Sequence, residues 1–289
     1  MKRREFRYLD PMRVRWAEVD MQRIVFNGHY LMYFDTAVAG YWRAMGMPYH
    51  ETMEVMQGDL YVRKATLEYQ ASARYDEMLH VGVRVQRVGN SSIVLTAACF
   101  RGEQALVTGE LVYVFADPAS MTSRPVPQAL REWLDAFETG QPMVRVEVGT
   151  WAALRSQAQP LRHTVFVDEQ GIDPALEQDG ADDTAVHAIA FNRLGLALGT
   201  GRLVEMGGGS AKIGRMAVLA SMRGSGVGSA LLDALVAAAR SRGLDEVVLH
   251  AQTTALPFYS RQGFVPLGPP FEEAGLPHQT MVRILSGAV

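Results

Sequence analysis

Cysteine is almost missing from this chain: among 289 residues there is one, Cys99. A single thiol allows neither an internal disulfide nor a cysteine metal cluster, and it fits a reducing compartment. Long apolar runs are missing too. No segment reaches the ~18 consecutive apolar residues of a membrane span. Lys2 to Arg4 lead into Glu5 rather than into the apolar stretch of a secretory signal. Nor does one sign of charge dominate. The formal net charge is -3, and residues 1–143 hold 16 Lys and Arg against 17 Asp and Glu, leaving 12 against 14 for the remainder. So even a balance offers nucleic acid no basic surface. The expectation is a soluble cytoplasmic protein with no membrane or nucleic-acid partner.

What is present is enough apolar residue, 48%, for a large core, over a length that suits two domains. From Tyr30 to Met45 the residues Tyr30, Leu31, Tyr33, Phe34, Ala37, Val38, Tyr41, Trp42 and Met45 recur at helical spacing, and Gly46 is placed to end the helix. Such a wide apolar surface must be largely buried. Extended stretches follow at Tyr61 to Tyr69, Leu79 to Val88, Ser91 to Phe100 and Ala105 to Phe115. In the second, Leu79, Val81, Val83 and Val85 alternate with His80, Gly82, Arg84 and Gln86, and Gly89-Asn90 marks a hairpin turn. One buried helix wrapped by an antiparallel sheet is the simplest packing of this order. Asp117 to Met143 then opens with Pro and Ser, holds one short amphipathic helix and ends in Gly-Gln-Pro, as a domain boundary does. We expect a domain at 1–120, a linker with a short helix at 121–143, and a second domain at 144–289.

The second half is mixed α/β, with a helix near Trp151 to Phe166, strands at Val186 to Asn192, Leu196 to Glu205 and Ala211 to Leu219, a helix at Val227 to Arg242 and a strand at Glu246 to Gln252. Its strongest chemical signal is the turn Arg223, Gly224, Ser225, Gly226, Val227, Gly228, Ser229 between a strand and an amphipathic helix. Glycines let the backbone approach an anion, and the first helix amides point at it with the positive end of the dipole, so a pyrophosphate is the natural ligand. A glycine-rich turn with no ligand would carry the same residues. No acid follows where a dinucleotide fold grips the ribose, and no Gly-Lys-Ser/Thr follows the glycines as in a P-loop.

With "FYSRQGF" (Phe258 to Phe264) about thirty residues further on, this half resembles the GNAT N-acetyltransferase superfamily. "LRHTVFVDEQGI" (Leu161 to Ile172) and "FEEAGLPHQTM" (Phe271 to Met281) are similar to its ElaA-like branch, and the first also to acyl-homoserine-lactone synthases. The resemblance implies a mixed sheet with flanking helices, acetyl-CoA or another acyl-CoA as donor, an amine as acceptor, and no metal. It implies that the loop amides hold the pyrophosphate, that the backbone of Met216, Ala217 and Val218 pairs with the pantetheine arm, and that Tyr259 protonates the departing thiolate. For the base, Glu169 and His187 rank first, with His250 and His278 in reach and an ordered water able to serve. His250, alone in "VVLHAQ", reads more simply as a structural residue. Asp168 to Asp183 carries seven acids and no base. A solvated loop is the plain expectation, and electrostatic steering of a cationic amine the sharper one.

In the first half, "WAEVDMQRIVFNGHYLMYFDTA" (Trp16 to Ala37) resembles the 4-hydroxybenzoyl-CoA thioesterases and YbgC-like acyl-CoA thioesterases. The resemblance implies a hotdog fold that pairs into a dimer or tetramer. It implies Asp20 as nucleophile or base, with helix-opening groups from Val25, Phe26, Asn27 and Tyr30 holding the thioester oxygen. Alternatively, Asp20 and Asn27 only cap and solvate the helix entry. Related enzymes commonly carry glycine where this chain has Arg23, which could narrow the site, bind a phosphate or acidic acyl group, or mark lost hydrolysis. Met45, Met47, Met53 and Met56 could line an acyl pocket or pack the core. The combined expectation is a bifunctional acyl-CoA enzyme, a thioesterase fused to an N-acyltransferase. Two others stand beside it: a hotdog domain that only binds or assembles transferase subunits, and a CoA-sensing GNAT domain that regulates a thioesterase.

Overall fold

The computed structural model describes residues 1–177 and 179–285. Gln178, inside the acid-rich stretch, and residues 286–289, at the end of the expected second domain, lie outside them. The chain divides into two compact units, Met1–Met143 and Val144–Val289, and each is described by itself. Among the described residues no helix is long and apolar enough to cross a membrane.

The first unit is an antiparallel sheet of β1 (Tyr8–Arg13), β2 (Asp59–Tyr69), β3 (Met78–Val88), β4 (Ser92–Arg101) and β5 (Gln104–Ala116) in the order β1-β3-β4-β5-β2. It packs on one long helix, α1 (His29–Ala44). Tyr30, Tyr33, Phe34, Ala37, Val38, Tyr41 and Trp42 of α1 are all buried, so this helix is held by its apolar face. Each large side chain among them contributes about 1.5–3 kcal/mol. At Gly40 an added Cβ would fall 1.9 Å from the Tyr8 hydroxyl, which explains a glycine in mid-helix despite its cost of about 0.5–1 kcal/mol. Strand β4 is buried on both faces from Ile93 to Phe100. Cys99 lies there opposite Val81 and Val107, fully sealed.

Two elements were not visible in the pattern: edge strand β1, and α2 (Tyr49–Met56). The methionine-rich stretch around α2 is core, with Met45, Met47 and Met53 buried. The expected linker at 121–143 is corrected as well. Its helix α3 (Gln128–Glu138) buries Leu130, Trp133, Leu134 and Phe137. Trp133 Nε1 donates to the Met45 carbonyl at 2.9 Å, while Glu138 accepts from the Tyr41 hydroxyl at 2.6 Å and the Val85 amide at 2.8 Å. An amphipathic helix with this apolar face cannot remain in solvent, so the segment is a layer of the first unit.

The second unit is built on a mixed sheet of β6 (Arg145–Gly149), β7 (Val186–Phe191), β8 (Ala197–Gly207), β9 (Ser210–Val218), β10 (Glu246–Gln252), β11 (Val265–Pro266), β12 (Phe271–Glu273) and β13 (Leu276–Ile284). The order is β11-β13-β10-β9-β8-β7-β6, with β12 on β13. Among the described residues only β9 and β10 pair in parallel. Successive residues of β7 serve opposite faces. Ala188 and Ala190 join the core under α6 (Val227–Ser241), and Ile189 and Phe191 pack with Leu154 and Ala158 of α4 (Trp151–Arg162). The expected helix to Phe166 stops earlier: after Arg162 the chain widens into a π-turn over His163–Glu169, followed by the short α5 (Pro174–Glu177).

The β9–β10 pairing runs from Ser210/Glu246 to Ile213/Leu249 and stops, although both strands continue. A bulge explains the separation. The β8–β9 register shifts between Gly214 and Ala217, and Arg215 lies there at φ +50°. The diverging strands open a cavity of about 360 Å3.

Candidate active sites

The signature of the first unit folds into a tight loop. Val19 and Val25 bridge antiparallel, the Asp20 amide donates to the Ile24 carbonyl at 2.9 Å, and the Arg23 amide donates to the Asp20 carbonyl at 2.9 Å. Asp20 is half-buried. Its Oδ1 accepts the Gln22 amide at 2.8 Å, while Oδ2 has no protein donor among the described residues. Arg23 is exposed and sits at φ +61°. This left-handed geometry is one that glycine adopts freely and a side chain resists, so the loop itself accounts for the glycine common at this position.

The loop amides are unequal. Val25 donates to the Ala73 carbonyl and Phe26 to the Glu18 carbonyl, both at 2.9 Å, and Tyr30 donates to the Asn27 carbonyl at 3.4 Å. The amides of Asn27 and Gly28, just ahead of α1, donate to no protein acceptor among the described residues. Of the four helix-opening residues singled out in the sequence, only Asn27 therefore brings a free amide. Tyr30 is a buried support whose hydroxyl accepts the Ala73 amide at 2.9 Å.

Glu18 was not singled out in the sequence. Its buried carboxylate accepts the Tyr33 hydroxyl and the Arg15 amide and Nε, each at 2.7 Å. Burial opposes its charge, but these donors outweigh burial and hold its carboxyl below the usual range. Glu18 thereby ties the loop to α1. A cavity of about 370 Å3 in this unit is lined instead by Tyr61, Val62, Arg63 and Val114 among others, away from the signature.

In the second unit the glycine loop has the backbone that its composition suggests. Gly224 and Gly226 lie at φ +81° and +91°, where a side chain would be strained. The amides of Gly224, Gly226, Val227, Gly228 and Ser229 donate to no protein acceptor among the described residues and gather at the N-terminus of α6. The Ser225 amide and hydroxyl both donate to the Met222 carbonyl, fixing the turn. Gly214, Arg215 and Met216 line the cavity from β9, Leu249, His250 and Gln252 from β10. Tyr259, on α7 (Leu256–Arg261), is on the wall, its hydroxyl without a protein partner among the described residues and its pKa pushed up to about 12 by burial. It stays a protonated donor across the physiological range.

The comparisons divide at the same place as the fold. The model for "Acetyltransferase (GNAT) domain" matches residues 157–285, and that for "Thioesterase-like superfamily" matches residues 14–134. The uncharacterized N-acetyltransferase YjcF of Bacillus subtilis is 36% identical over 124 residues, 43% of this chain and 87% of YjcF. The chain belongs to the GNAT family in its second half, and its first half is similar to the thioesterase-like superfamily. The acyl-CoA thioester hydrolase YbgC of Escherichia coli O6:H1 is 27% identical over 124 residues, 42% of this chain and 90% of that protein. A crystal structure of an acyl-CoA N-acyltransferase from Pseudomonas aeruginosa is 32% identical, covering 48% of this chain and 99% of its own, with a TM-score of 0.44.

Within the GNAT domain two expected bases are placed elsewhere. His187 does not line the cavity. It is buried on a strand covered on both faces, its ring 4.8 Å from that of Trp151 and its Nε2 3.0 Å from the Asp182 carbonyl. Burial lowers its pKa. Glu169 is also off the cavity wall. Its carboxylate takes Arg223 Nη1 at 2.6 Å and Nη2 at 2.7 Å, which holds its pKa down and makes it a weak base. Arg223 Nε also donates to the Val218 carbonyl at 3.3 Å. His250 and His278 do line the cavity.

The acid-rich stretch is only partly solvated: Asp168, Glu169, Asp173, Asp179 and Asp183 are exposed, while Glu177 and Asp182 are buried. Asp182 accepts from Arg162 and Arg202 at 2.8 Å each, Asp179 from Arg202 at 2.7 and 2.6 Å and from Arg215 at 3.0 Å, and Glu177 pairs with Arg162. Three of its acids, Glu177 and Asp182 buried and Asp179 exposed, thus pair with three arginines. Among the described residues no cluster of three or more His, Cys, Asp or Glu could hold a metal ion.

Proposed function

We propose that the chain is a bifunctional acyl-CoA enzyme in which the GNAT domain transfers an acyl group from acetyl-CoA or another acyl-CoA to an amine and the hotdog domain hydrolyses an acyl-CoA thioester. The observation that carries this reading is that each domain holds unshared helix-start amides together with one reactive side chain: Asn27 and Gly28 at the end of the loop that Asp20 opens, and Gly224, Gly226, Val227, Gly228 and Ser229 in the domain whose cavity wall carries Tyr259.

In the GNAT domain the loop amides hold the pyrophosphate, and the edge of β9 from Met216 to Val218, which β10 leaves unpaired, receives the pantetheine arm as a strand would. Arg223 moves from Glu169 to phosphate as the donor binds. An exposed ion pair is worth only about 0–1 kcal/mol, so the exchange is easily driven. The amine attacks the thioester carbonyl, and the departing thiolate takes its proton from the Tyr259 hydroxyl.

In the hotdog domain Asp20 either attacks the carbonyl carbon, giving an anhydride that water then cleaves, or takes a proton from the attacking water. The Asn27 and Gly28 amides receive the charge that develops on the carbonyl oxygen. Trp16 is 74% exposed and Met21 fully exposed in this segment. Apolar side chains so placed beside the site favour a homodimer or tetramer that covers them.

The test incubates the purified chain with acyl-CoAs of graded length, with and without primary amines, and follows free thiol together with product mass. Amine-independent thiol release that disappears in Asp20→Ala and persists in Tyr259→Phe is expected. Release that survives Asp20→Ala but is lost in Tyr259→Phe would overturn the thioesterase assignment and leave the hotdog domain as a binding or assembling module.

A further inference from the structure

His250 lies on β10 one residue past Leu249, where pairing with β9 ends. Alternation along β10 sends Val247, Leu249 and Ala251 into the core and turns His250 to the other face, where the cavity opens. Two charged side chains meet its Nδ1: Glu273 Oε2 at 2.7 Å and Lys212 Nζ at 3.0 Å. Lys212 comes from β9 and Glu273 from β12, and all three line the same cavity as Tyr259.

The proton arrangement follows from these contacts. Burial opposes the charge of Glu273, but the hydrogen bond to His250 and the nearby Lys212 ammonium prevail and keep its carboxyl below the usual range. An ionised carboxylate can only accept, so the proton of the 2.7 Å contact sits on Nδ1. Nε2 is then the nitrogen with the free lone pair. We infer that His250 is the general base of the GNAT site, taking a proton from the acceptor ammonium through Nε2, with Glu273 as the positioning residue that fixes this tautomer and Lys212, a donor only, as the charge that keeps Glu273 ionised.

The inference rests on the transferase reading of the domain. The ammonium gives one proton to Nε2, and the neutral amine attacks the thioester carbonyl. The second nitrogen proton leaves to solvent as the amide forms, and the C–S bond breaks to a thiolate that Tyr259 protonates. A carboxylate behind Nδ1 stabilises the imidazolium formed in the first step and holds the ring in place. His278, also on the wall, has its Nδ1 on the Leu276 carbonyl at 2.8 Å, and among the described residues no carboxylate is hydrogen-bonded to it. The remaining charged groups on the wall, Glu177 and Arg215, are engaged with Arg162 and with Asp179.

The full-length protein is assayed with acetyl-CoA against alkylamines, diamines and amino acids, and the rate constant for an amine it uses is followed over pH. His250→Gln should lower kcat/KM by about a hundredfold and remove the acid limb of the profile. Glu273→Gln should cause a smaller loss and move that limb, and His278→Asn should leave it in place. Two-bond 1H–15N spectra should show His250 with its proton on Nδ1, and a mixture of tautomers in Glu273→Gln. An unchanged profile in His250→Gln, an acid limb lost in His278→Asn, or a proton on Nε2 would overturn the assignment of His250 while leaving the transferase reading intact. No amine acetylated by the unaltered protein would overturn that reading and this inference with it.

Discussion

Arg23 shows how one backbone angle can decide between readings of a site. Its φ of +61° costs a non-glycine residue about 1–2 kcal/mol, and glycine there returns part of this by losing more freedom on folding, about 0.5–1 kcal/mol. Arg23→Gly is therefore expected to stabilise the hotdog domain by up to about 1 kcal/mol, read as a higher urea midpoint at unchanged slope. A lower midpoint would mean that the guanidinium makes a contact the protein needs. At this scale the sequence was partly legible. The family resemblance pointed to Asp20, Asn27 and Tyr259 as candidates, but which loop amides are free was not legible, because Val25 and Phe26 are claimed by Ala73 and Glu18. The choice among histidines was not legible for a related reason. Both His187 and His250 lie in apolar strands, and only the packing of neighbouring strands shows that one is enclosed on both faces while the other meets a cavity.

Among the elements, α1 and the alternating strand β3 were legible because their periods are local. The π-turn after α4 was not, since a few residues at five-fold spacing leave no mark on a helical pattern, and the β9–β10 divergence depends on a bulge at Arg215. What holds the turn and the segment after it is the six-charge cluster of Arg162, Arg202, Arg215, Glu177, Asp179 and Asp182. Removing one partner of a buried pair strands the others, so Asp182→Ala is expected to destabilise the GNAT domain by about 3–5 kcal/mol in chemical denaturation. The arginines hold Asp179 below the usual range, and they do the same for Asp182 although burial opposes its charge. Their contribution is complete above the ordinary carboxylate range and is lost as pH falls through the lowered values. The gap between wild type and Asp182→Ala should accordingly narrow in strong acid. A gap that widens there would show that the carboxylate is protonated in the native state.

At the scale of the molecule each of the two units buries apolar side chains of its own, around α1 in one and around α6 in the other. Units of this kind are expected to unfold separately. Phe34→Ala, which empties a fully buried position in the first, is expected to cost about 3–5 kcal/mol, and Leu235→Ala in the second about 2–5 kcal/mol. In calorimetry each should lower one of two transitions and spare the other. A single transition moved by both would mean that the units unfold as one. The sealed thiol of Cys99 has a practical consequence at this scale. Burial pushes its pKa up to about 12, and a protonated, inaccessible sulfur does not react. The native protein is therefore silent toward thiol reagents, and the colour in such an assay counts coenzyme A alone. The same silence can be broken in a useful way, because Cys99 reacts only when the sheet around β4 opens, so slow labelling in the absence of substrate is a clock for the breathing of the hotdog domain.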